Sequence, residues 1–310
     1  MNRESILKAL DIRYIELTFS LEMLTATTLP RNKASALRGG MGQMLLAQNC
    51  IRDQKCEVCD FESECLVRRM MYSKFEIQPK FATRGDSIGY IIECENYKET
   101  FKQGEVLQFR LLLFGKTIAY FPQFLQAFYM LGQHGLGKEK AKFHIRKVVN
   151  EKGKKVVDGY RVYLQKLGIR TVAEYVKERQ EVLLKQGCRN MMTFKTPVTI
   201  KYQGEFIQQF HEEALLRSVL RRIYSMDCFE GMEIPLMEAE EMPKIIEQEV
   251  HFVKVPRYSS TMQGHMELKG IRGEVVFEDL SEELLLILLA GEKLHIGKNT
   301  SFGFGKYMLK

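Results

Sequence analysis

The sequence predicts an α+β protein made of two β-α-β-β-α-β units in tandem, and three observations predict it. The same order of strand-like and helix-like periods occurs twice. A glycine-rich stretch ending in G-x-G-K precedes the last strand of each unit, Gly135-Leu-Gly137-Lys138 in the first and Gly303-Phe-Gly305-Lys306 in the second. The chain has 310 residues, 45% hydrophobic and 27% charged, enough for two soluble domains with sizeable cores.

In the first unit, Tyr14 to Phe19 alternates as a half-buried strand does. Ala34 to Ala47 carries Leu37, Met41, Met44 and Leu45 at helical spacing. Ile88 to Glu93 and Val106 to Phe114 read as strands. Thr117 to Leu131 reads as a helix with an aromatic and leucine face, and Lys142 to Val149 closes the unit. In the second unit the strands are Met191–Lys201, Val250–Tyr258, Ile271–Phe277 and Phe304–Leu309. Its helices are Ile207–Met226 and Ser281–Leu289, the latter with Ser281 as N-cap and two glutamates in its first turn. Antiparallel sheets with helices on one face, connected in this order, make a tandem ferredoxin-like (RRM-like) architecture. The expected division is 1–150, a connecting segment over 151–189 that turns helix-like from Thr171, and 190–310.

Net charge is +7 and the pI is near 8.9, a bias that suits a polyanionic partner. The charge clusters: Lys138, Lys140, Lys142, Arg146 and Lys147 lie close together, followed by Lys152, Lys154 and Lys155, and Arg217, Arg221 and Arg222 share a helix. No apolar run reaches the roughly 18 residues that cross a bilayer, and no basic-then-apolar leader opens the chain, so a cytoplasmic protein with no membrane partner is expected.

Four of seven cysteines crowd into one insertion after the first helix. Cys50, Cys56, Cys59 and Cys65 have the spacing C-x5-C-x2-C-x5-C, which without a secretory leader reads as a metal site and not a disulfide framework. Four thiolates leave no open coordination position, so the expected group is a structural zinc, with an iron–sulfur cluster as the alternative and no catalytic metal.

The most informative stretch is Gly297 to Lys306. Glycines allow close approach of backbone amides to phosphate; Lys298 and Lys306 add charge, and Asn299, Thr300 and Ser301 add neutral donors. It is not a Walker A loop, and it precedes a strand instead of opening a helix, so it is not a dinucleotide fingerprint. The run His295 to Tyr307 resembles the C-terminal signature of the CRISPR repeat-RNA (pre-crRNA) processing endoribonucleases of the RAMP superfamily. Arg257-Tyr-Ser-Ser with Gly270-Ile-Arg-Gly-Glu274 resembles the family's central segment, and Leu37-Arg-Gly-Gly with the cysteine segment resembles the N-terminal part of one subgroup.

The resemblance implies an endoribonuclease in which a ribose 2′-hydroxyl attacks the adjacent phosphate without a metal, leaving a 2′,3′-cyclic phosphate and a 5′-hydroxyl. That chemistry needs a base, an acid and cations around the phosphorane. Many members carry a histidine near the start of the first helix, whereas Thr27 to Gly40 has none and offers Arg31, Lys33 and Arg38 instead. Of six histidines, His295 and His265 are the candidates for acid–base work, His295 for its place beside the glycine-rich loop and His265 for its loop-like surroundings near Arg257 and Tyr258. The RNA-contacting set is then Arg31, Lys33, Arg38, Arg257, Tyr258 and the loop residues Gly297 to Ser301, Gly303, Gly305 and Lys306. The expected partners are repeat RNA and subunits of a CRISPR effector complex. Two other functions fit the same sequence: a non-catalytic RNA-binding subunit of such a complex, and a zinc or iron–sulfur protein of ferredoxin-like fold.

Overall fold

The computed structural model describes residues 2–54, 56–72, 75–81, 88–187, 190–259 and 264–310; the side chains of residues 57, 258, 259 and 265 lie outside that description. Cys188 is also outside it. The chain starts with a helix that the periodicity does not announce, α1 (Arg3–Ala9), capped by the Asn2 side chain, which accepts from the Ser5 N–H.

The first sheet contains β1 (Arg13–Met23), β2 (Tyr90–Glu93), β3 (Val106–Phe114) and β4 (Phe143–Asn150), in the spatial order β2-β3-β1-β4 and antiparallel throughout. Helices α2 (Lys33–Asn49) and α4 (Phe121–His134) cover one face, where Leu17, Phe19, Leu111 and Leu113 meet Leu37, Met41, Phe124 and Phe128. A 3-10 turn over Gly115–Tyr120 leads into α4, which begins with Pro122 in its first turn, where a missing N–H costs nothing. The short α3 (Leu66–Met71) follows the cysteine segment.

The segment after β4 is not a mere connector. It folds as a hairpin, β5 (Lys155–Asp158) and Arg161–Val162, that extends the first sheet beyond β4. Helix α5 (Val172–Gln186) then begins at Thr171, whose side chain forms a capping box with Glu174.

The second sheet repeats the first. Its strands β6 (Met191–Phe194), β7 (Ile245–Ser259), β8 (Gly264–Phe277) and β9 (Tyr307–Leu309) run in the order β7-β8-β6-β9, with α6 (Glu212–Glu230) and α7 (Glu282–Leu294) as the two helices. The matching strand order in both sheets is the tandem ferredoxin-like fold.

Three expectations change. The Met191–Lys201 run stops as a strand at Phe194, since Pro197 has no N–H to give a ladder. The Ser259–Lys269 stretch, read as a loop, is mostly strand: β7 and β8 pair from Ile245 opposite Phe277 out to Ser259 opposite Gly264. Residues 207–211 precede α6 and do not belong to it.

The halves are joined through the other face of the first sheet. Tyr14, Ile91, Leu112 and Phe114 alternate with the residues under α2 and α4, and they enter the same core as α1, α5, α6 and α7. This makes α7 buried nearly all round, with every residue from Leu284 to Leu294 buried. No helix among the described residues is long and apolar enough to cross a membrane.

Candidate nucleic-acid interface

Where the two halves meet, β2 ends in a carboxylate that the sequence reading did not single out. Glu93, 6% exposed, accepts from His295 Nε2 at 2.8 Å and from Lys306 Nζ at 2.8 Å, and pairs with Arg110 at 2.7 Å. Glu95 pairs with the same two cations, Lys306 at 2.6 Å and Arg110 at 2.5 Å. Further along the seam Lys293 lies 2.6 Å from Glu16 and 3.0 Å from Glu151. Burial pushes the Glu93 carboxyl up, but the hydrogen bond and charge of His295, with Lys306 and Arg110, outweigh it and hold the group well below the usual carboxylate range.

This geometry reassigns two residues. His295 is 0% exposed, and its Nδ1 lies 2.9 Å from the Phe304 carbonyl oxygen, so both ring nitrogens are engaged inside the protein. Lys306 is buried between Glu93 and Glu95. Neither presents a free group to RNA; both join the halves.

The glycine-rich loop serves the same junction. A Cβ at Gly303 would meet the Ile92 carbonyl oxygen of β2 at 2.7 Å, one at Gly297 the Thr199 carbonyl at 2.5 Å, and one at Gly305 the Ile296 carbonyl at 1.8 Å. All three also have positive φ. Most loop amides are spent internally: those of Gly297, Lys298, Phe302, Gly303, Gly305 and Lys306 donate to acceptors of the chain itself. The expected amide cradle therefore mainly fastens the loop to its own half, and Gly303 alone brings it against the backbone of β2.

What the loop does present is Phe302. The guanidinium of Arg38, from α2, lies 4.3 Å from the ring centre, and that of Arg257, from β7, lies 4.7 Å from it. Arg38 Nε donates to Ser301 Oγ at 3.2 Å. Burial, and then the charge of Arg38, lower the Arg257 pKa, and its Nε is buried with no hydrogen-bond partner among the described residues. Two guanidiniums from different halves thus converge on one ring, with a donor in want of an acceptor. An anion with several oxygens satisfies that arrangement.

The remaining candidates are dispersed. Arg31 is exposed ahead of α2, whereas Lys33 is 0% exposed, with Nζ donating to the Asn96 carbonyl at 2.9 Å, and burial lowers its pKa. Lys33 is thus a core residue and not an RNA contact. Lys298 is exposed with its ammonium 5.7 Å from the Phe206 ring centre; Asn299 takes the left-handed conformation; Thr300 and Ser301 are buried. The side chains of Tyr258 and His265 lie outside the described residues, but their backbones pair, immediately after the pair Arg257–Met266. His134, His144 and His251 are exposed, and His211 precedes α6 beside Tyr202.

Cys50, Cys56, Cys59 and Cys65 line one small cavity beside Arg68, and the three other cysteines are among the charges acting on Cys56. The donor type suits zinc; among the described residues no three histidine, cysteine or acidic side chains are arranged to hold an ion, and none of the four cysteines is in a disulfide.

Fold and junction together define a two-unit ferredoxin-like protein with an arginine–aromatic cluster at the seam of its halves. Residues 192–307 match the family model of the CRISPR-associated endoribonuclease Cas6, and residues 11–173, more than half of the chain, match a model described as an N-terminal domain. In its second half the chain thus resembles the CRISPR-associated endoribonuclease family. Among solved structures it is similar to a partial Cas6-RT-Cas1–Cas2 complex, with TM-score 0.56 and 12% identity over 96% of this chain. It spans 46% of that chain's length and 29% of the chain in the full complex. It is also similar to a Cas6 product complex (TM-score 0.53, 15% identity) and to Thermus thermophilus Cas6 (TM-score 0.51, 13% identity), in both cases over 96% of this chain and 99% of the other. At such identities the likeness establishes the fold. No curated protein matches the chain.

Proposed function

We propose that the chain cuts CRISPR repeat transcripts into guide RNAs by attack of a ribose 2′-hydroxyl on the adjacent phosphate, with that phosphate seated at Arg38 and Arg257. The observation that carries the reading is the convergence of these two guanidiniums, one from each half, on Phe302.

In the reaction the 2′-oxygen forms a bond to phosphorus as the bond to the 5′-oxygen breaks, leaving a 2′,3′-cyclic phosphate and a 5′-hydroxyl. Negative charge gathers on the non-bridging oxygens, and guanidinium donors fixed in advance stabilise it most where water is excluded. Ser301 and Phe302 orient the Arg38 fork, and burial keeps Arg257 poorly hydrated. A proton must leave the 2′-hydroxyl and another must reach the 5′-oxygen. His265 is the histidine whose backbone lies next to the Arg257–Met266 pair, and we assign it one of these roles. Residues of the protein carry the steps, with no catalytic metal. A zinc ion on Cys50, Cys56, Cys59 and Cys65 is the structural complement of this reading, and metal analysis with a visible spectrum separates it from an iron–sulfur cluster or bare thiols.

One observation favours a second reading. His295 is spent inside the seam and no histidine stands at the start of α2, as in an RNA-binding subunit of an effector complex that does not cut. Incubating the purified chain with the repeat RNA of its own host's array decides between them. Cutting at one bond supports the nuclease; tight binding without cutting supports the subunit; neither overturns both.

A further inference from the structure

The first sheet departs from the duplicated plan at one edge. Beyond β4 it continues into the hairpin of β5 and Arg161–Val162, whereas among the described residues the second sheet consists of β7-β8-β6-β9. This edge holds the charge of the protein. Residues 138–166 contain ten lysines and arginines against three acidic residues, a net +7 equal to that of the entire chain.

The register aligns part of that charge on one face. Ser20 lies opposite Lys147, Lys147 opposite Asp158, and Asp158 opposite Arg161, so the four form one row across the strands, while Lys155 lies opposite Val149, two residues further along β4 and past a shift in register. Lys147, Lys155, Asp158 and Arg161 are all exposed. Asp158 neutralises one charge through its 2.8 Å pair with Lys155, and Lys147 and Arg161 are the other cations acting on it, so two positive charges remain in excess. At the tip of the hairpin Tyr160 is 98% exposed, beside Gly159 with φ 59°. A row of exposed cations ending at a free aromatic ring is the composition of a surface that follows a single strand, phosphates on the cations and a base on the ring.

We propose that this basic extension of the first sheet is a second RNA surface, which holds single-stranded RNA flanking the phosphate cut at the seam. The proposal rests on the reading of the chain as an RNA-binding protein. The surface lies across the sheet from β2, four strand spacings or roughly 19 Å away, so it holds a different stretch of the same strand. Lys147, Lys155 and Arg161 bind phosphates there, and Tyr160 stacks on a base.

The test uses the full chain and a labelled 20-nucleotide oligouridylate, whose binding is read whether or not any transcript is cut. The variant K147E/K155E/R161E should bind it about tenfold more weakly at 100 mM salt, and the slope of log K against log salt should fall by roughly 2, as loss of three single-strand phosphate contacts predicts. Tyr160→Ala should weaken binding about fivefold or more with an unchanged slope. The altered side chains are exposed, so the melting temperature serves as the folding control. Affinity and slope equal to those of the unaltered chain in both variants would overturn the proposal and assign the hairpin to a protein partner. If the repeat transcript is bound but not cut while both variants lose oligouridylate affinity, the nuclease reading fails and this surface stands.

Discussion

Arg38 and Arg257 belong to different halves of the chain, yet their guanidiniums lie 4.3 Å and 4.7 Å from the centre of the same ring, that of Phe302. Like charges held this close cost free energy unless something else recovers it, and a phosphate does. Replacing either arginine by alanine should slow cleavage by about 10²–10³, the usual effect of removing one fixed donor to a developing oxyanion. Arg257→Lys should not restore the rate, because an ammonium keeps the charge and loses the fork. Single-turnover kinetics at saturating protein reads this, and a rate within threefold of the unaltered chain for R38A and R257A would remove the site.

His295 is predicted to act on stability and not on chemistry. Removing His295 leaves Lys306 and Arg110 on Glu93 but deprives the buried carboxylate and the Phe304 carbonyl of a donor each, a loss of about 1–3 kcal/mol per unsatisfied group. H295A should therefore lower the melting temperature markedly, while folded protein well below that temperature cuts at a near-normal rate. A loss of 10² or more in rate with an unchanged melting temperature would return His295 to the acid–base candidates.

Glu93 gives the seam an acid limit. Its carboxyl is held below its unfolded value of 4.5, so the folded state releases that proton more readily than the unfolded chain. The stabilisation is complete above pH 4.5 and drains away as pH falls below it. Glu93→Gln should lower stability at neutral pH and flatten the acid limb of the stability curve. Parallel acid limbs in the two proteins would contradict this.

Asp227, in α6, has the opposite sign. Burial pushes its carboxyl from 3.8 up to about 8, and its Oδ1 has no hydrogen-bond partner among the described residues. The folded state holds that proton across the interval and the unfolded chain does not, so stability falls as pH rises from 3.8 towards 8. Asp227→Asn should raise the melting temperature at pH 8, with the gain shrinking towards pH 4. An equal gain at both pH values would remove Asp227 as its source.

The fold was legible because its signals are local. Alternation marked β1 and β3, helical spacing marked α2 and α4, and the repeated order of elements implied the repeated strand order. The seam was not legible from the glycine-rich run itself, because Gly303 is required by the carbonyl of Ile92, more than two hundred residues earlier. A signal did exist: Glu292, Lys293 and His295 follow the apolar run Leu284–Ala290, and charges in such a setting need partners. Glu93, at the end of the apolar run Ile88–Ile92, was the complementary cue. Lys33 shows the limit, since one lysine at a helix start reads alike whether it meets solvent or the Asn96 carbonyl.

The central claim, attack by a 2′-hydroxyl at a phosphate held by residues of the protein, is tested most directly on the host's repeat RNA in excess EDTA, beside copies carrying one 2′-deoxy substitution at each position in turn. The account predicts cutting at one bond, a 2′,3′-cyclic phosphate on the product, and loss of cutting for the single copy lacking the attacking hydroxyl. Cutting that requires an added divalent ion, or that persists in every deoxy-substituted copy, would contradict it.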